Sequence, residues 1–156
     1  MSLLPRRRAA LALAALGIAW LLPLDVGAKP RGPKIRWTIV LPERKDAPRV
    51  AAMLKAILEK ETRKARWGSG FPLEAEATID IRELSARVDG DIVRVSCAAL
   101  GKMRELGVAR TRFSYGGKAV QQAQLEKHIL ELVARGIIVR LAELAREKFG
   151  GWKVTR

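Results

Sequence analysis

Hydrophobic and polar positions along the chain define a short series of elements. Ile35–Leu41 alternates: Ile35, Trp37, Ile39 and Leu41 share one side, and Arg36, Thr38 and Val40 the other. This predicts a strand with one buried face. Val50, Met53, Leu54, Ile57 and Leu58 then recur at helical spacing. Asp46 is placed as the N-cap, with Pro48 in the first turn. The helix is predicted to run to about Arg66, its last turn basic as the helix dipole favours. Trp67–Pro72 reads as a loop.

Leu73–Val88 and Asp91–Arg104 predict a long β-hairpin around Asp89-Gly90, a dipeptide suited to a two-residue type I′ turn. That turn would pair Val88 with Asp91, Ala86 with Val93 and Leu84 with Val95. Leu73, Ala75, Ala77, Ile79 and Ile81 have the opposite parity to Leu84, Ala86 and Val88. A continuous ladder would turn one set out to water. A β-bulge near Arg82-Glu83 resolves the conflict. The resulting register sets Ile81 opposite Cys97, Ile79 opposite Ala99 and Ala75 opposite Met103. It also sets Glu76 opposite Lys102 and Glu74 opposite Arg104, two pairs of opposite charge.

After Leu106-Gly107, Val108–Tyr115 alternates again. Ala109, Thr111, Phe113 and Tyr115 are assigned inward; Arg110, Arg112 and Ser114 outward. Gly116-Gly117 is expected to break the strand. A final helix is predicted over roughly Ala119–Phe149, about 45 Å long. Leu125, Ile129, Leu132, Val133, Ile137, Leu141 and Leu144 form its apolar stripe. Gly136 lies within that stripe, where it allows close approach to the sheet. Gly150-Gly151 ends the helix.

The predicted order is β-α-β-β-β-α. The fold class is α+β: two layers, a four-stranded mainly antiparallel sheet with both helices on one face. The first strand is placed inside or beside the meander without a choice of edge. The opposite sheet face is left open to water.

The first 28 residues change the picture. Arg6-Arg7-Arg8 precedes the apolar run Ala9–Leu24, and Val26 and Ala28 stand at the spacing a signal peptidase accepts. The run is shorter than the roughly 20 residues that span a bilayer. Residues 1–28 are therefore expected to be a cleaved signal peptide, and no membrane span is expected after cleavage. Expected location is periplasmic or secreted. Residues 29–34 read as a disordered basic leader, 35–149 as one α+β domain and 150–156 as a tail. The tandem arginines lack the bulky residues of a twin-arginine signal, and no cysteine follows the small residues, so a lipoprotein route has no support.

The chain has 30 Lys+Arg against 16 Asp+Glu, a net charge of +14. Removing residues 1–28 takes away three arginines and one aspartate, leaving about +12. Such an excess suits lipopolysaccharide, acidic glycan, nucleic acid or lipid headgroups, although basic residues also serve solubility. Arg36, Arg94, Lys102, Arg104, Arg110 and Arg112 are expected on the open sheet face, with Glu74, Glu76 and Asp80 among them. They are the candidate anion-binding residues. The alternative is a solvated face whose charges pair with one another at little energetic gain. Aromatic residues for base stacking are missing there, because Trp37, Phe113 and Tyr115 have the inward parity.

Cys97, the one cysteine, permits no intrachain disulfide and reads as a small buried hydrophobe. His128, the one histidine, has no histidine partner for a metal site and is placed on the solvent side of the last helix. Gly116-Gly117-Lys118 before a helix could hold an anion, but the spacing of a P-loop is absent. Asp80 and Glu83 are the nearest thing to a catalytic carboxylate pair, and no nucleophile accompanies them. No enzyme activity, cofactor or metal is expected. An unrecognised hydrolase is the remaining enzymatic alternative.

Ile92-Val93-Arg94-Val95-Ser96-Cys97, the Gly116-Gly117 pair and the long last helix resemble modules of uncharacterised exported bacterial proteins, some joined to HEAT-type helical arrays. The likeness covers roughly Phe71 to Glu147. It implies no assigned activity and carries over no functional residue; the chain is expected to be an exported, non-enzymatic interaction or scaffold domain of the cell envelope. The element order is also similar in outline to small envelope domains of the peptidoglycan-synthase-activator and curli-export type, an analogy of fold alone.

Overall fold

The computed structural model describes residues 32–150. The expected signal peptide, residues 29–31 of the expected leader and residues 151–156 of the tail lie outside them.

Strand β1 (Lys34–Val40), helix α1 (Ala47–Lys64), β2 (Glu74–Asp89), β3 (Ile92–Met103), β4 (Gly107–Lys118) and helix α2 (Gln122–Phe149) follow one another, with a 3-10 turn at Ala119–Gln121. The sheet order is β1-β2-β3-β4. The three-stranded meander is antiparallel, and β1 lies at its edge, parallel to β2. The α1 crossover between β1 and β2 is the connection a parallel pair requires. The α+β class and the β-α-β-β-β-α order agree with the sequence pattern.

Both helices bury their stripes against the same sheet face. Ile35, Ile79, Ile81, Val93, Val95, Cys97 and Ala109 from the strands meet Leu54, Leu58, Ile129, Val133, Ile137 and Leu141 in a single core cluster. Val93 is 0% exposed. Trp67 and Phe71, in the loop after α1, join that core, and Phe71 meets Phe149 edge-on at 5.8 Å. Trp67 donates to Thr62 O at 3.0 Å, and Trp37 to Thr62 Oγ1 at 3.2 Å. The indole polar groups are therefore satisfied in an otherwise apolar layer.

Several local readings are corrected. The hairpin loop is Gly90-Asp91, with Asp89 opposite Ile92. Gly90 has φ +62 and no other residue near it has positive φ. These are the signs of a type II′ turn with glycine first, not type I′. The register is therefore shifted by two residues. Val88 faces Val93, Leu84 faces Cys97, Ile81 faces Ala99 and Ala77 faces Met103. The bulge does fall between Ile81 and Glu83. Because the shift is even, each residue keeps its sheet face. The charge pairs Glu76–Lys102 and Glu74–Arg104 do not form, since Lys102 faces Thr78. Glu74 and Glu76 instead face Lys34 and Arg36 of β1.

Lys34, assigned to the leader, is the first residue of β1. Gly116-Gly117 does not interrupt β4, which continues to Lys118 opposite Ile92. A Cβ on Gly117 would lie 2.9 Å from Leu125 Cδ1, so the missing side chain makes room for the start of α2. Asp46 makes no side-chain cap to the backbone of α1; its carboxylate takes Arg44 and Arg49 instead. These two guanidinium groups hold the Asp46 carboxyl down to about 2. Phe113 and Tyr115 do lie on the helix side, but at the β4 edge they are 36% and 47% exposed. Tyr115 meets the exposed His128 ring edge-on at 5.3 Å.

Among the described residues, no helix is long and apolar enough to cross a membrane.

Candidate functional site: the open sheet face

The face turned away from the helices carries alternate residues of all four strands. On β1 these include Arg36; on β3, Arg94, Ser96, Ala98, Leu100 and Lys102; on β4, Arg110, Arg112 and Ser114. Among the described residues, no helix covers them. Arg36, Arg94, Lys102, Arg110 and Arg112 are exposed on this face. Arg104 is exposed too, but β3 ends at Met103 and Arg104 opens the β3–β4 turn. It therefore stands beyond the end of the sheet, apart from the other five.

The acidic residues divide these cations into two sets. Arg36 pairs with Glu76 at 3.5 Å, Arg82 with Asp80 at 2.9 Å and Arg112 with Glu83 at 3.1 Å. Arg94, Lys102 and Arg110 have no ion-pair partner among the described residues. Asp80 and Glu83 thus each hold an arginine. The Ser85 hydroxyl donates to Glu83 at 3.2 Å, while Cys97 is on the buried face and His128 lies on α2 beside Tyr115, so among the described residues neither thiol nor imidazole meets the two carboxylates. Burial pushes the Cys97 thiol up to about 12, so it remains a neutral core side chain.

Arg82 is the residue of the candidate face that the alternation rule missed. Strict alternation cannot assign a side chain inside a bulge. The signal was present in the parity break that located the bulge. Here the bulge brings Arg82 alongside Ala98 and Leu100 of β3, across from Arg110 and Arg112. These side chains line a shallow depression of about 550 Å³.

A similar architecture occurs in a solved structure. The fold is similar to that of a candidate lipoprotein from Caulobacter crescentus CB15, 14% identical, with a TM-score of 0.50 over 72% of this chain and 91% of that one. A minor lipoprotein from Acinetobacter baumannii is 12% identical over 78% of this chain and 97% of that one, with a TM-score of 0.33. No protein-family model and no curated protein matches the chain. The likeness to the Caulobacter protein concerns the fold alone.

The arrangement presents cations fixed on a rigid sheet. Strands hold side chains at set spacings, and neighbouring strands lie roughly 4.8 Å apart. Such a surface suits an extended anion better than a deep pocket would.

Proposed function

We propose that the chain is an exported, non-enzymatic interaction domain of the bacterial cell envelope that works through its open sheet face. The observation that carries this reading is the face itself: among the described residues, a four-stranded sheet has helices on one side only, and Arg94, Lys102 and Arg110 stand without ion-pair partners on the other. Export rests on the signal-peptide pattern of residues 1–28. The Caulobacter neighbour supports the fold of such a domain. Cys97, the one cysteine of this sequence, is buried within β3.

A more specific reading is that this face binds an anionic polymer. Unpaired cations on a flat surface release counterions when they meet phosphate, sulfate or carboxylate chains, which makes binding steeply salt-dependent. Retention of the mature protein on immobilised heparin or lipopolysaccharide across a salt series tests it. A steep dependence that disappears in the Arg110→Glu, Arg112→Glu double variant supports the reading. Retention that salt does not alter, or no retention at all, contradicts it. Cell fractionation with a determination of the mature N-terminus tests export. Recovery in the periplasm or medium beginning at Lys29 is expected, and recovery of an uncleaved cytoplasmic chain contradicts it.

A further inference from the structure

The most specific feature of the open face is the depression beside the bulge. Its parts come from three strands. The bulge between Ile81 and Glu83 contributes Arg82. Ala98 and Leu100 of β3 form the floor, and Arg110 and Arg112 of β4 stand opposite. Glu83 faces Ala98, and Ala98 faces Arg112. The Arg112–Glu83 ion pair at 3.1 Å therefore crosses β3 above Ala98, whose methyl group is small enough to lie beneath it. Ser85 donates to the other Glu83 oxygen at 3.2 Å and steadies the carboxylate. Asp80 steadies Arg82 at 2.9 Å. The result is a bay over Leu100, with Arg82 on one bank, Arg110 on the other and the Arg112–Glu83 bridge closing one end.

The chemistry of this bay is selective. The banks stand two strand spacings apart, roughly 10 Å, wide enough for one sugar ring lying flat. Guanidinium groups donate paired N–H bonds that match phosphate, sulfate and carboxylate. The floor is a leucine and an alanine, suited to the C–H face of a ring. Bases of single-stranded nucleic acid bind by stacking on aromatic side chains, and none lines the bay. A lipid would need an apolar slot for its chain, and the depression is shallow and open.

We infer that the Arg82–Arg110–Arg112 bay binds one anionic sugar unit of an acidic polysaccharide, its charged group gripped by the guanidiniums and its ring seated on Ala98 and Leu100. The inference rests on the anionic-polymer reading above and narrows it to a subsite and a ligand class. Glu83 then acts as an internal competitor. Its carboxylate occupies Arg112, and an incoming anion must share or displace it.

The test is calorimetric titration of the mature protein with a size-defined heparin oligosaccharide. Neutral dextran, single-stranded oligothymidylate and phosphatidylglycerol vesicles are run in parallel. Arg82→Ser and Arg110→Ser are each expected to weaken oligosaccharide binding about tenfold, the loss of one charge-assisted hydrogen-bond site. Glu83→Gln is expected to strengthen binding severalfold, because it frees Arg112 and removes a repelling charge. Arg36→Ser, paired elsewhere on the same face, should change affinity less than about twofold. All these side chains are surface groups, and an unchanged melting temperature confirms that each variant is folded. Binding that none of the bay variants alters, or that Glu83→Gln weakens, overturns the bay while leaving the broader face intact. Tighter binding to oligothymidylate or vesicles than to the oligosaccharide overturns the ligand class. No binding of any anionic probe at low salt overturns both this inference and the anionic-polymer reading.

Discussion

Ile137 of α2 seats its Cγ2 methyl in the space above Gly101 of β3 where a side chain would begin. Ile137 is fully buried, and Gly101 faces Ile79 on the same side of the sheet. At the preceding helix residue the roles reverse. A Cβ on Gly136 of α2 would lie 2.9 Å from Thr111 Cγ2 of β4. The long helix thus meets the sheet as a knob over a glycine and a glycine over a knob. This seating holds α2 against one face of the sheet, opposite the face that bears the arginines.

Gly101→Ala should therefore destabilise the domain. The added methyl overlaps a buried isoleucine in a packed layer, a change that costs about 1–3 kcal/mol. Gly116→Ala is the matched control, since a Cβ there would meet nothing closer than Val93 O at 3.8 Å. Chemical denaturation measures both. Equal stability of the two variants would contradict the seating.

The same contacts show how much the sequence discloses. Alternation assigns a residue to a sheet face, and the face assignments of Arg36, Arg94, Lys102, Arg110 and Arg112 follow from it. Parity also locates the bulge. Alternation does not fix register, because a shift by two residues keeps every side chain on its face. Two glycine dispositions, Asp89-Gly90 and Gly90-Asp91, both fit a two-residue loop, and local chemistry does not choose between them. Nor does the pattern of β1 state its neighbour. Its alternation requires a buried face, which several sheet positions would satisfy. Arg82 could not be assigned because alternation is suspended within a bulge. Gly117 looked like punctuation, whereas its lack of a side chain serves Leu125 three-dimensionally.

Thr62 joins β1, α1 and the following loop. Its hydroxyl accepts from Trp37 Nε1 at 3.2 Å and its carbonyl from Trp67 Nε1 at 3.0 Å. Thr62→Val should leave the Trp37 indole N–H buried without an acceptor, a loss of about 1–3 kcal/mol. Thr62→Ser should retain most of the stability. A Thr62→Val variant as stable as the parent in denaturant would contradict this role.

Cys97 gives the stability a distinct alkaline limit. Burial pushes its thiol from 9.0 up to about 12, so the folded protein favours the protonated form. The corresponding contribution is whole below pH 9 and is lost as pH rises toward 12. Denaturation midpoints measured across that window should fall, and Cys97→Ala should flatten the decline. Rapid alkylation of the native thiol near pH 8 would contradict its burial.

Asp46 should show the opposite behaviour at acid pH. Hydrogen bonds from Arg44 and Arg49 lower its carboxyl from 3.8 to about 2. Its stabilising contribution is present above pH 3.8 and is lost as pH falls through 2. Side-chain carboxyl NMR should place the titration midpoint near 2, and Arg44→Ala with Arg49→Ala should raise it. A midpoint near 4 in the unmodified protein would contradict the pairing.

The central claim is that an uncovered arginine-bearing sheet face, rather than either helix, is the working surface. Amide and arginine Nε chemical-shift mapping during titration with heparin oligosaccharide tests it most directly. The expected result is a contiguous set of shifts at Arg82, Ala98, Leu100, Arg110 and Arg112, fading toward Arg36. Shifts concentrated at the exposed helical cations Arg63, Arg135 and Arg140, with the β3 and β4 signals unmoved, would contradict it.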